Sequence, residues 1–193
     1  MQFTGLVLAT LLSVNAFAAD KTIDFNYKDA QITKVLGDYA KASGQKFVVD
    51  PQVRGMITIV LPGPVSIEEA FNQLSTALAV NGLGISKQDD TMIVQQARAV
   101  QRNLIEVSQE MPALKPERMY TWVINLKYAS ADEVNKQLRI LTSKDGELVP
   151  YTHNNQIYVT DWTSNLHRIA KIMKEIDIPG GKAAAAAPAK KAQ

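Results

Sequence analysis

The chain has 193 residues, 46% of them hydrophobic and 21% charged, with a formal charge of +2. That suits one or two small globular domains, and so small a charge gives no electrostatic case for nucleic acid, which draws on a strongly basic face. Cysteine is absent, which excludes cysteine nucleophiles, thiolate zinc sites, lipoprotein acylation and disulfides, so any domain must hold by packing alone.

Residues 1–18 read as a secretory signal. Leu6 to Leu12 form an apolar core too short to span a bilayer, and Ala16-Phe17-Ala18 supplies a small-x-small cleavage pattern. The start carries no Lys or Arg, so an N-terminal anchor or a buried helix stays open as an alternative.

A first module is expected over residues 19–97. Thr22 to Tyr27 alternates Ile23, Phe25 and Tyr27 with polar neighbours, as a half-buried strand does. Asp29 is placed to cap the next helix, whose Ile32, Val35, Leu36 and Tyr39 form one stripe before Gly44 ends it. Two β-branched runs follow, Lys46 to Val49 and Met56 to Leu61, punctuated by Asp50-Pro51 and Gly55. Ser66-Ile67-Glu68-Glu69 is a capping box opening a helix that turns Ala70, Phe71, Leu74 and Leu78 inward. Leu83 to Ser86 and Thr91 to Gln95 then read as a hairpin around Gln88-Asp89-Asp90. The module reads β-α-β-β-α-β-β.

Residues 98–118 lose this pattern. Pro112 and Pro116, with charges between them, predict a semi-extended linker, to which Leu104 to Val107 could add a short strand. A second module is expected over residues 119–179. It opens with a strand, Tyr120 to Leu126, and a second capping box, Ser130-Ala131-Asp132-Glu133, whose helix presents Val134, Leu138 and Leu141. Strands Glu147 to His153 and Gln156 to Thr160 are joined at Asn154-Asn155, where a tight hairpin needs the positive φ that Asn tolerates. The last helix, Ser164 to Asp177, turns Leu166, Ile169, Ala170, Met173 and Ile176 to one side. This order is β-α-β-β-α, KH-like. The fold class is therefore α+β, in two small domains, each a short mixed sheet with two helices on one face. Residues 180–193 form an Ala/Lys tail that cannot bury apolar side chains and is expected to be disordered. Without Lys182, Lys190 and Lys191 the rest of the chain carries 18 basic and 19 acidic residues and is near neutral.

The segment Tyr151 to Asp161, YTHNNQIYVTD, looks most like chemistry. His153, His167, Asp161 and a serine could be written as a triad, but His153 sits beside the predicted turn and His167 on the presumed outer face of the last helix. Two histidines are a thin basis for zinc, which wants three or four converging ligands. Glu68-Glu69 and Asp89-Asp90 are adjacent pairs accounted for by a cap and a hairpin tip. Trp122 is read as core, and Trp162 as packing like a staple at the start of the last helix, where exposure would instead point to a partner. A KH-like order raises RNA binding, but the second module has no G-x-x-G loop and balances seven basic against seven acidic residues.

Together these segments resemble the periplasmic N-terminal domains of secretins, the ring-forming outer-membrane channels of type II secretion and type IV pilus systems. Phe25-Asn26-Tyr27-Lys28-Asp29-Ala30, Val35-Leu36 and Phe47-Val48-Val49-Asp50-Pro51, with Gly55 and Thr58, are similar to the short domain shared by secretins and TonB-dependent receptors. Leu126-Lys127-Tyr128-Ala129 and Ala131-Asp132-Glu133-Val134 resemble the start of the ring-building domain. Asn155 to Asp161 and Ile176-Asp177-Ile178-Pro179 complete it.

The resemblance implies a first domain that meets inner-membrane partners or substrate and a second that packs side by side in a ring. A secretin continues into a membrane-spanning barrel, whereas here a short tail follows, and these few strands have no route to a closed barrel. The expectation is a non-enzymatic periplasmic interaction component, associated with the outer membrane through its apparatus, acting as a detached entrance ring or an accessory docking module. Its expected partners are other secretin, secretion or pilus envelope proteins, or copies of itself in a ring. No catalytic residue, cofactor, metal or nucleic acid is expected, nor a membrane span in the mature chain. Candidate interface residues lie on the strands Ile57–Leu61 and Ile157–Thr160: Ile57, Ile59, Leu61, Ile157 and Val159, with Trp162 beside them. The rival readings are an adaptor of the TonB-receptor type, and a hydrolase using His153 or His167.

Overall fold

The computed structural model describes residues 21–103 and 105–180; the signal-peptide reading and residues 181–193 of the tail lie outside this range. The first unit runs β1 (Thr22–Ile23), β2 (Tyr27–Gln31), α1 (Ile32–Ser43), β3 (Lys46–Val49), β4 (Met56–Ile59), β5 (Val65–Ser66), α2 (Ile67–Val80), β6 (Leu83–Gln88) and β7 (Thr91–Gln96). The α1 stripe does what its spacing requires, since Ile32, Val35, Leu36 and Tyr39 are all buried, and Gly44 ends the helix in the left-handed region at φ 76°. The α2 stripe buries Ala70, Leu74 and Leu78. The strands divide among three short sheets: β1 with β5, β2 with β4, and β3–β7–β6, in which β3 runs parallel to β7. Helix α2 packs against both β4 and β6, and α1 against both β2 and β3, so the helix pair lies between two of the sheets.

Two local expectations fail here for a physical reason. Asp29 does not cap α1; Gln31 holds the N-cap position without a side-chain bond. Asp29 instead sits in β2 at φ 48°, where the register with β4 shifts, and its N–H donates to Thr58 Oγ1 at 3.0 Å. At α2 half of the capping box forms: Ser66 Oγ accepts the Glu69 N–H at 3.1 Å, while the Glu69 carboxylate accepts from Asn72 and Gln73 instead of reaching back.

The stretch read as a semi-extended linker is more ordered than its composition suggests. It contains α3 (Ala97–Asn103) and β8 (Val107–Ser108), which adds to the second sheet in parallel with β9 (Met119–Asn125). Its remainder straps the second unit. The Pro112 carbonyl accepts from His167 Nε2 at 2.8 Å, and Glu117 accepts from the Ser164 hydroxyl at 2.7 Å.

The second unit continues with α4 (Ala131–Leu138), a 3-10 turn at Arg139–Leu141, β10 (Glu147–Tyr151), a second turn at Thr152–Asn154, β11 (Gln156–Trp162) and α5 (Thr163–Ile176). Its sheet has the order β10–β11–β9–β8. Val134, Leu138, Leu166, Ile169 and Met173 of the two helices close over Tyr120, Leu148, Ile157 and Val159 on one sheet face. A smaller cluster of Ala97, Val100, Met119 and Trp162 joins the two units through α3.

Candidate functional site

The segment Tyr151–Asp161 is scaffolding. Tyr151 pairs with Gln156, leaving a four-residue loop in place of the expected two-residue turn, and only Asn155 takes the positive φ, at 52°. Asn155 then acts at a distance. Its Oδ1 accepts the Ala131 N–H at 2.9 Å, its Nδ2 donates to the Ala129 carbonyl at 2.9 Å, and its backbone carbonyl accepts the Leu126 N–H at 3.1 Å. Ser130, the expected capping residue of α4, makes no side-chain cap; the amide of Asn155 satisfies the first free N–H, that of Ala131.

Two carboxylates do similar work. Asp161 is fully buried and accepts from the Ser143 N–H, the Trp162 N–H and Asn165 Nδ2 at 2.8, 2.8 and 2.6 Å. Asp177 accepts the N–H groups of Lys127, Tyr128 and Ala129 at 2.9, 2.7 and 2.9 Å, tying the end of α5 to the loop before α4. Both carboxylates act as acceptors, Asp177 for backbone N–H groups alone and Asp161 for two backbone N–H groups and one side-chain amide.

The residues read as possible catalysts do not converge. His153 lies in an exposed turn with its ring edge-on to Tyr151, whereas His167 is half-buried and spends Nε2 on Pro112. Asp90 pairs with Lys46 across the exposed tip of the β6–β7 hairpin. Among the described residues no group of three His, Asp or Glu side chains could hold a metal ion.

The candidate interface residues separate into two kinds. Ile157 and Val159 are fully buried in the second core, and β11 is an interior strand with β10 and β9 on its two sides, so it has no margin to offer another chain. Trp162 is buried in the cluster that joins the units, the staple-like reading rather than the exposed one. Ile57 and Ile59 are also core residues, and Leu61 packs partly buried against them. Their strand, β4, is different. Among the described residues β2 is its one strand neighbour, so its other margin is unpaired. Along that margin runs a cleft of 320 Å³ between β4 and α2. Its rim carries Met56, Val60 and Val80, which are 61%, 82% and 79% exposed. The candidates Ile57 and Ile59 face the core; their outward neighbours Met56 and Val60 are the ones a partner can touch.

On the other, paired side of β4, the Tyr27 hydroxyl of β2 donates to Asp38 at 3.2 Å, and Lys34 reaches the same carboxylate at 2.7 Å. Burial, and then the neighbouring Asp38 charge, push Tyr27 up to about 12 from 10.0. The Lys34 hydrogen bond holds Asp38 below the usual carboxylate range.

Two family profiles match in order along the chain. One, described as "GspD-like, N0 domain", covers residues 25–94, and one described as "Bacterial type II/III secretion system short domain" covers residues 121–182. The chain is 26% identical over 155 residues to the secretin XcpQ of Pseudomonas aeruginosa, covering 80% of this chain and 23% of that protein. It is 23% identical over 176 residues to the type IV pilus biogenesis and competence protein PilQ of Neisseria meningitidis, covering 82% and 22%. The chain thus spans about a quarter of the length of these relatives. Among solved structures, the outer membrane complex of the Klebsiella pneumoniae type II secretion system, with PulD, PulS and the PulC HR domain, superposes with a TM-score of 0.70 at 21% identity, over 80% of this chain and 26% of that one. That superposition shows a shared fold. Among the described residues no helix is long and apolar enough to cross a membrane. With both profiles matched in sequence order over well over half its length, the chain belongs to the family of secretin N-terminal domains.

Proposed function

We propose that the chain is a non-enzymatic periplasmic docking component of a type II secretion or type IV pilus apparatus. In this reading the first unit receives an extended segment of another envelope protein on the free margin of β4, and the second unit contributes to a ring of like domains. The observation that carries it is that margin: an unpaired strand edge flanked by Met56, Val60 and Val80, in a chain of secretin N-terminal type. An added strand gains main-chain hydrogen bonds from the edge, and exposed apolar side chains on each side give it specificity. The relative PulD is seen in complex with PulS and the HR domain of PulC, and a comparable partner suits this chain.

The test is affinity capture from envelope extracts with the protein and with a Met56→Lys/Val60→Lys variant, the captured proteins being identified by mass spectrometry. A secretion or pilus component that is recovered by the first and lost with the second supports the reading. Recovery of none, or equal recovery by both, contradicts it.

A further inference from the structure

The second unit has a cleft of its own, on the helix-covered face of its sheet. It lies between β9 and α5 and has a volume of 670 Å³, within the range of roughly 300–1,000 Å³ typical of ligand clefts. Its floor is apolar: Trp122 and Ile124 of β9, Met111 of the strap, and Met173 of α5, all next to the second core. Trp122 is held in place by its own polar end, Nε1 donating to the Gln109 carbonyl at 3.1 Å, so its ring is a fixed wall.

The rim of this cleft is cationic. Lys127, Lys171 and Lys174 line it and are exposed, and among the described residues none of the three forms an ion pair. The one carboxylate in the lining, Asp177, is already occupied by the three backbone N–H groups of residues 127–129. His167, Lys171 and Lys174 stand at i, i+4 and i+7 on α5, so they form a row about 10 Å long beside the apolar floor. An apolar floor under the ammonium groups of Lys127, Lys171 and Lys174 asks for an occupant with the reverse pattern. Residues 181–193 contain three lysines and no Asp or Glu, so that segment has the wrong charge to supply it.

We infer that this cleft receives an acidic amphipathic peptide segment of a partner protein, with apolar side chains against Trp122 and Ile124 and its carboxylates against Lys127, Lys171 and Lys174. The inference rests on the reading of the chain as a docking component, but the surface is separate from β4, so each can fail alone.

The test uses two synthetic peptide probes with the same amphipathic leucine pattern, one with Glu and one with Lys on the polar face, titrated into the whole protein and followed by NMR. The Trp122 indole and the amides around Lys127, Lys171 and Lys174 should shift with the Glu peptide and not with the Lys peptide. The charge-reversed Lys171→Glu/Lys174→Glu variant, altered only at exposed positions, should bind the Glu peptide at least tenfold more weakly and the Lys peptide more tightly. The Met56→Lys/Val60→Lys variant should bind as the parent does. Equal binding of both peptides, shifts confined to other surfaces, or unchanged affinity in the reversed variant overturns the inference. So does concentration-dependent self-association, or binding to anionic vesicles in place of the peptide, that protects the same resonances.

Discussion

The Oδ1 atom of Asn155 lies 2.9 Å from the backbone nitrogen of Ala131, so a loop residue on one side of the second sheet caps a helix that begins 24 residues earlier. The same side chain donates to the Ala129 carbonyl, and the residue itself sits at φ 52°. Three roles meet in one residue: a cap, a loop clamp and a left-handed turn position.

Substitution separates these roles. Asn155→Gly keeps the backbone conformation and loses the side-chain bonds, at an expected cost of about 1–2 kcal/mol. Asn155→Ala loses both, and should cost about 1 kcal/mol more. Chemical denaturation of the two variants measures the difference. Equal stability would mean that the left-handed position carries no strain.

Asp177 fastens the end of α5 to residues 127–129 through three N–H groups. Asp177→Ala should cost on the order of 2–3 kcal/mol, because charge-assisted bonds are stronger than neutral ones and the loop donors lose their acceptor. Hydrogen exchange should show the loss first at Tyr128 and Ala129, as faster exchange before global unfolding.

Gly146 packs directly onto Asp161. A Cβ there would lie 2.6 Å from the Asp161 Cγ, in collision with the carboxylate, which is fully buried and cannot swing away. Gly146→Ala is expected to destabilise the protein by about 1–3 kcal/mol. The readout is the thermal midpoint of the folded chain.

The seat of α3 gives a coupled pair. A Cβ on Gly84 would stand 2.9 Å from Val100 Cγ2. Gly84→Ala alone should destabilise by about 1–3 kcal/mol through overpacking, and Val100→Ala by on the order of 2 kcal/mol through a cavity. Combined, they should cost clearly less than the sum, since the new methyl fills the space the valine leaves. Strict additivity would mean that α3 does not rest on β6.

Tyr27 provides the pH dependence. Its folded-state value is pushed up to about 12, above the ordinary 10.0. A raised value means that the folded chain holds its proton longer than the unfolded chain. The stability this contributes is fully present below pH 10 and is lost as the pH rises towards 12. Tyrosinate absorbance should show a late-ionising component that Tyr27→Phe removes. Asp38→Asn should bring it only part of the way down, because burial is the larger cause.

Local pattern carried much of the fold. The stripe Ile32, Val35, Leu36, Tyr39 fixes which face of α1 is buried, and Asp89, at φ 53°, turns the β6–β7 hairpin where the Asp89-Asp90 pair predicted it. What stayed hidden depends on partners distant in sequence. Asn155 caps a helix that starts 24 residues earlier, Asp161 takes the Ser143 N–H from 18 residues away, and Asp177 takes the Lys127 N–H from 50 residues away, which no spacing rule encodes. Helix α3 has only Ala97 and Val100 as buried apolar positions, too few to make a stripe, and its place is set by the hollow over Gly84. Alternation in Ile157 and Val159 says which side chains face inward, but nothing about strand order, so β11 could be taken for an edge when it is the interior of its sheet.

The free margin of β4 is tested most directly in living cells by replacing Val60, 82% exposed beside that margin, with a photo-crosslinking amino acid, and Ile140, 80% exposed on the second unit, as the control. A covalent adduct from position 60 to another envelope protein of a secretion or pilus apparatus, much stronger than any from position 140, is the expected result. No adduct from position 60 in cells with an intact apparatus, or the same adducts from both positions, would contradict the account.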